Sequence, residues 1–240
     1  LKKKFPTAIL FFNFLDVPWH FPGVMKKLTI ESTLMREHAD IVSVISNKVK
    51  KDLSKFYNKK IEVIYNPSKD VSFNKSINKT NNFLYVGRAN DPVKRVKLIY
   101  DAFKNDSEIK NIIFCGPQDP GFGNYLGIVE DKKLNELYNS SKFVLLPSKA
   151  EGIGLSMIEG MICGSVPLMC SDNLTAKEFA PNEFFCEPDP KSLKNKIEEV
   201  EKEYNNYREK SLEFGRKYKI QFNKKTIANN IIEIYQKHIN

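Results

Sequence analysis

The sequence is poor in the residues that most often mark a site. Among 240 residues there are four cysteines, three histidines and one tryptophan. Cys115, Cys163, Cys170 and Cys186 sit in apolar or helical surroundings, with no Cys-x-x-Cys and no Cys/His ligand spacing. A disulfide frame and a zinc site are therefore not indicated, and free buried thiols in a reducing compartment are expected. No Asp-x-Asp occurs, so a metal held by such a carboxylate pair is not suggested. The longest stretches without charge, 5–15 and 160–171, fall short of the roughly 20 residues that span a bilayer. A secretory signal is not expected either: Lys2–Lys4 precedes an apolar stretch, but that stretch leads into Asp16 rather than a small-residue cleavage site. The chain opens on Leu1 with a strand-like segment, as expected of a fragment.

What is present is an ordinary globular composition, 41% hydrophobic and 28% charged. The length allows one large domain or two small ones. A net charge of +9 favours anionic partners such as nucleotides, phospholipid headgroups or nucleic acid. An even coat of lysine is also simply a solvated surface. The aromatic and basic interleaving expected of a nucleic-acid binder is lacking, so no nucleic-acid partner is expected.

Thr7–Phe12, Asp40–Ile45, Ile61–Tyr65, Phe83–Val86, Ile112–Cys115, Phe143–Leu146 and Val166–Cys170 are short apolar runs without polar alternation. Between them, Val24–Glu37, Asn47–Tyr57, Arg95–Lys104, Lys132–Ser140 and Leu155–Cys163 carry helical spacing. Apolar strands separated by helices predict parallel sheets covered on both faces, an α/β fold. The tail from Ser192 reads as helices broken near Tyr218–Asn223. The polar, low-complexity stretch after Asn66–Pro67 is linker-like. The expected division is 1–66, a linker at 67–82, a fuller unit at 83–216 and a terminal helix at 217–240.

Ligands of open parallel sheets bind beyond the carboxyl ends of the strands. Two loops at such ends are chemically loaded. Gly87 opens the first, where it permits close backbone approach, and Arg88 and Lys94 place two cations near the next helix. That arrangement suits a diphosphate, and it also fits a basic surface turn. In the second, Pro147-Ser148 and Glu151-Gly152-Ile153-Gly154 lead into a helix. The glycines leave the N–H groups of Ile153, Gly154 and Leu155 free to face an anion. Glu151 sits where a carboxylate simply capping the helix would also sit. Glu159 falls on the apolar stripe of Leu155, Ile158 and Ile162. An inward carboxylate needs donors, and ribose or sugar hydroxyls would serve, as would a backbone N–H or solvent at the edge of the stripe.

Taken together these residues resemble the family 4 (group 1) glycosyltransferases of the GT-B fold, over most of the chain. Phe83–Arg88 with Lys94 is similar to the family's strand and Gly-Arg signature with its following lysine. Phe143–Ser148, Glu151-Gly152-Ile153-Gly154-Leu155 and Glu159 are similar to its Pro-Ser, Glu-Gly-Phe-Gly-Leu and Glu-x7-Glu pattern. The resemblance implies a Rossmann-like C-terminal domain and part of an N-terminal one, with the start of the latter missing. It implies that a hexosyl group moves from a nucleoside-diphosphate sugar to an acceptor hydroxyl with retention. Arg88 and Lys94 would hold the diphosphate with the backbone of Ile153–Leu155, Glu151 would contact the sugar, and Glu159 the ribose. Ile128, in Leu126–Val129, would lie near the nucleobase, and Asp16 and His20 on the acceptor side. No metal and no cofactor are expected, since the sugar nucleotide is a substrate. The acceptor would be a saccharide or a lipid-linked or protein-linked group, in the cytoplasm, and the charge is compatible with a membrane surface. A non-catalytic sugar-nucleotide-binding subunit and a GT-B-fold epimerase remain as alternatives. Two departures stand out: Arg95 replaces the glycine usual after the lysine, and Cys115-Gly116-Pro117 replaces a Gly-x-Gly turn.

Overall fold

The structure, a computed structural model, describes residues 9, 11–14, 38–55 and 57–239. It divides into two compact units, 1–67 with 224–240, and 68–223.

The smaller unit holds a parallel sheet ordered β1 (Phe11–Phe14), β2 (Ile41–Val44) and β3 (Ile61–Val63). Every residue of β2 is buried, as a strand covered on both faces must be. Its one polar side chain, Ser43, donates to Asn13 Oδ1 at 2.8 Å and so meets the demand of a buried hydroxyl. Helix α1 (Asn47–Leu53) starts on Ser46, whose Oγ accepts the Val49 N–H at 3.1 Å. Val49 and Leu53 of α1 join Val42, Val44 and Ile61 in the core.

The larger unit is a six-stranded, wholly parallel sheet in the order β6-β5-β4-β7-β8-β9. Its strands are β4 (Thr80–Val86), β5 (Ile112–Cys115), β6 (Asn124–Gly127), β7 (Ser141–Leu146), β8 (Val166–Cys170) and β9 (Phe185–Cys186). Its helices are α2 (Val96–Phe103), α3 (Asp131–Ser140), α4 (Leu155–Ile162), α5 (Pro190–Lys202) and α6 (Tyr204–Gln221). Helix α7 (Lys224–Ile239) belongs to the smaller unit, where Tyr235 stacks on Phe11 with ring centroids 5.5 Å apart.

Three features differ from the sequence expectation. The stretch 68–82 is no free tether, because its backbone is tied down by side chains of the larger unit. The N–H groups of Lys69, Ser72 and Asn74 donate to Glu159, Asn135 and Asn139, and Val71 is buried. Helix α6 runs on to Gln221, so the larger unit ends at Asn223 rather than 216. Strands β6 and β9 carry no continuous apolar run: edge strand β6 alternates exposed and half-exposed residues, and β9 has only two residues. The expected helix at Val24–Glu37 lies outside the described residues.

Candidate functional site

Because β5, β4, β7 and β8 are adjacent and parallel, the loops leaving their carboxyl ends share one edge of the sheet. Gly87 ends β4 by donating its N–H to Cys115 O at 3.0 Å. A Cβ on Gly116 would lie 2.0 Å from Gly87 O, so the two strand ends meet only because residue 116 is glycine. The altered Cys115-Gly116-Pro117 turn thus keeps the glycine that the backbone approach requires.

After Gly87 the chain makes a 3-10 turn, Pro92–Lys94, capped by Asp91 Oδ1 on the Val93 N–H at 3.0 Å. The other Asp91 oxygen takes Arg88 Nη2 at 2.8 Å, and the Arg88 side chain stays 61% exposed. Lys94 takes a different carboxylate. Its Nζ donates to both Glu151 oxygens at 2.7 Å, with the two side chains only 18% and 11% exposed. Lys149 N–H to Val93 O, 2.9 Å, ties the same two loops by their backbones. The structure therefore brings Lys94 and Glu151 into direct contact.

Helix α4 begins on Gly154, a left-handed residue at φ 89° that offers no side-chain cap. Among the described residues no backbone carbonyl takes the N–H groups of Ile153, Gly154 or Leu155. Open N–H groups at a helix start carry partial positive charge and suit an anion. In the same loop Ser148 Oγ is buried without a partner, a hydroxyl that a ligand or a water would satisfy.

Glu159 is 4% exposed, and the chain itself supplies its donors. Oε1 accepts the Lys69 N–H and Oε2 the Tyr138 hydroxyl, both at 2.9 Å. Burial raises its pKa, opposed by those two hydrogen bonds. Each oxygen keeps a second lone pair. Ile128 is 82% exposed just past β6, and the preceding Gly127 accepts the Gly116 N–H at 2.9 Å. Asp16 and His20 lie outside the described residues. Among the described residues no group of three or more His, Cys, Asp or Glu side chains is placed to hold a metal ion, and no helix is long and apolar enough to cross a membrane.

The sequence reading missed the Lys94–Glu151 pair and a further one. Arg95 forks onto Asp172, just past β8, with Nη1–Oδ1 at 2.9 Å and Nη2–Oδ2 at 2.5 Å. The rule that drew attention to the loops after β4 and β7 applies equally to the loop after β8.

Residues 124–218 match the sequence model of the glycosyl transferases group 1 family. Over 80 residues the chain is 35% identical to O-antigen chain mannosyltransferase B of Escherichia coli, a match covering 32% of this chain and 20% of that protein. The aligned segment is thus a fifth of the length of this curated relative. Among solved structures, sucrose-phosphate synthase from Thermosynechococcus elongatus superposes with a TM-score of 0.78 at 16% identity, over 95% of this chain and 67% of that one. HepE from Anabaena, in complex with UDP and glucose, gives 0.77 at 18% identity, over 96% and 72%. At such identities the likeness shows the fold, which is the α/β, GT-B type that the sequence led one to expect.

Proposed function

We propose that the chain is the donor-binding part, with a portion of the acceptor-side unit, of a retaining family 4 glycosyltransferase. It would move a hexosyl group from a nucleoside-diphosphate sugar to an acceptor hydroxyl. The observation that carries this reading is the joining of two loops: Lys94 lies on Glu151 beside the open N–H groups that start α4. Cation, carboxylate and helix start suit, respectively, a phosphate, a sugar hydroxyl and a second phosphate oxygen. The group 1 match over 124–218, the mannosyltransferase relative and the UDP and glucose of the HepE structure all support a sugar nucleotide as the ligand.

The barrier to transfer lies in departure of the diphosphate as the sugar gains oxocarbenium character. Positive charge already in place stabilises the leaving group without reorganising during the reaction. Lys94, Arg88 and the backbone of Ile153–Leu155 would supply it, without a metal. Arg88 reaches this role by turning from Asp91, which its exposure permits. Glu151 would orient the sugar, Glu159 would add a ribose hydroxyl on a free lone pair, and Ile128 would border the base. Asp16 and His20 are assigned to the acceptor side. The acceptor would be a saccharide or a lipid-linked or protein-linked group, met in the cytoplasm or at a membrane surface that the charge of +9 favours.

The test is a thermal-shift and titration panel of the chain against UDP-, GDP-, ADP- and dTDP-sugars. Binding to the folded state raises its stability by mass action, about 2.7 kcal/mol at a hundredfold excess over Kd. One sugar nucleotide should shift the melting temperature, and Arg88→Ala and Lys94→Ala should each weaken it by about tenfold, the loss of one charged hydrogen bond. Unchanged affinity in both variants would sink the assignment.

A further inference from the structure

Arg95 stands apart in the backbone: among the described residues no other non-glycine residue has a positive φ. At φ 51° and ψ 38° it joins the Pro92–Lys94 turn to α2, ending one and starting the other. Its N–H donates to Pro92 O at 3.3 Å, and its carbonyl accepts the Leu98 N–H at 2.9 Å. A side chain in this region costs about 1–2 kcal/mol. The strain is therefore placed one residue from Lys94, and something must hold it.

The guanidinium fork on Asp172 does so. The two parallel bonds lie in a partly screened setting, with side chains 23% and 35% exposed. A planar fork on a carboxylate fixes the direction of the arginine stem as well as its charge. Without it, residue 95 could relax to helical φ, a rotation of roughly 110° from the observed 51°. That rotation would carry the adjacent Lys94 away from Glu151.

We propose that Asp172 is a positioning residue: through Arg95 it holds the left-handed junction that sets Lys94 on Glu151 at the donor diphosphate. The inference rests on the donor-site reading for what Lys94 does, though not for where Lys94 is held. Asp172 pairs with Arg95 and acts on Lys94 through the backbone. A glycine at 95 would adopt the same conformation freely and would make Asp172 dispensable.

The experiment compares wild type, Asp172→Ala, Arg95→Gly and the double variant at a temperature where circular dichroism shows all four folded. The first readout is the acetylation rate of Lys94, followed by mass spectrometry with an amine-reactive ester. Lys94 should be shielded in the wild type, several-fold more reactive in Asp172→Ala, and shielded again in Arg95→Gly and the double variant. The second readout is calorimetric affinity for UDP, GDP and ADP. It should fall about tenfold in Asp172→Ala and return to within about threefold of wild type in the double variant. Unchanged Lys94 reactivity in Asp172→Ala overturns the proposal, as does a double variant no better than Asp172→Ala. If the reactivities follow the expected pattern while the wild type binds none of the three nucleotides, the positioning role stands and the donor-site reading fails.

Discussion

Lys94 and Glu151 are partners within the chain, and that sets up a competition. On the proposed donor site, a diphosphate arriving at Lys94 would meet an ammonium already paired with a carboxylate 2.7 Å away. Replacing Glu151 by glutamine removes the competing charge but keeps the shape. Glu151→Gln should bind a bare nucleoside diphosphate about two- to fivefold more tightly, since the desolvated ammonium regains its need for an anion. If the proposed function holds, it should bind the corresponding sugar nucleotide no better than wild type and transfer sugar at least about a hundredfold more slowly, because the carboxylate proposed to orient the sugar is gone. Weaker binding of the bare diphosphate in titration would contradict this. Glu159 is a different kind of carboxylate, buried on internal donors. Its raised pKa means that the folded chain holds a proton more readily than the unfolded chain, so its charge weakens the fold as pH rises through and above the usual glutamate range. Glu159→Gln should accordingly leave stability near wild type, whereas Glu159→Ala should lose about 2–3 kcal/mol by stranding the Lys69 N–H and the Tyr138 hydroxyl. Denaturant unfolding separates the two. Nucleotide affinity unchanged in Glu159→Gln and Glu159→Ala alike would confine Glu159 to structure.

The elements that the sequence made legible are those whose burial leaves a one-dimensional trace. Strands β2, β5, β7 and β8 are buried along almost their whole length, so each writes a mainly apolar run, broken only by Ser43 in β2 and by Ser141-Lys142 at the start of β7. Helix α4 was legible through its stripe, and its start through Gly154, whose φ of 89° explains why glycine stands there. Segment 68–82 was misread for a physical reason. Asn, Ser and Lys are equally the composition of a tether and of a chain held by polar side chains, and only tertiary contacts separate the two. The Arg95–Asp172 pair was invisible for a related reason: its members stand 77 positions apart, and nothing in either neighbourhood names the other. Asn139 shows how firmly the segment is held. It is fully buried, accepts the Asn74 N–H at 2.7 Å, and donates to Ser72 O at 2.9 Å and Asn135 O at 2.8 Å. Asn139→Ala strands these groups together. A loss of about 2–3 kcal/mol is expected, or about 5–10 °C in melting temperature for a unit of this size. Limited proteolysis should then cut within 68–82 well before the rest of the larger unit, and equal cutting in wild type and variant would show that the segment is not held by this side chain.

At the scale of the molecule, most of the positive charge reads as surface, and one enclosed lysine makes stability depend on pH. Lys79 Nζ is enclosed, donating to Tyr138 O at 2.8 Å and to Cys163 O and Ser165 Oγ at 3.1 Å. These acceptors are neutral. Burial, aided by the nearby Arg208 charge and opposed by Cys163, lowers its pKa to about 7. An unfolded lysine titrates near 10.4. Below pH 7 both states carry the proton, and the fold bears the full burden of the buried ammonium. Above pH 7 the folded chain releases the proton first, the unfolded chain then holds more protons, and stability rises with pH. The rise is cleanest up to about pH 8.5. Beyond it the Cys115 and Cys163 thiols, pushed by burial up to about 11 and about 12, act in the opposite sense, because the fold then retains protons that the unfolded chain gives up. Between pH 7 and 8.5 the gain from one such lysine is about 1.5 kcal/mol, against a maximum of about 1.4 kcal/mol per pH unit for one proton. Lys79→Met removes the titrating group and keeps most of the stem, so it should flatten this part of the profile and be more stable than wild type at pH 6. Guanidinium unfolding at pH 6, 7, 7.75 and 8.5 measures both chains. Parallel profiles would show that Lys79 keeps its proton throughout, held by its three oxygen acceptors against the pull of burial.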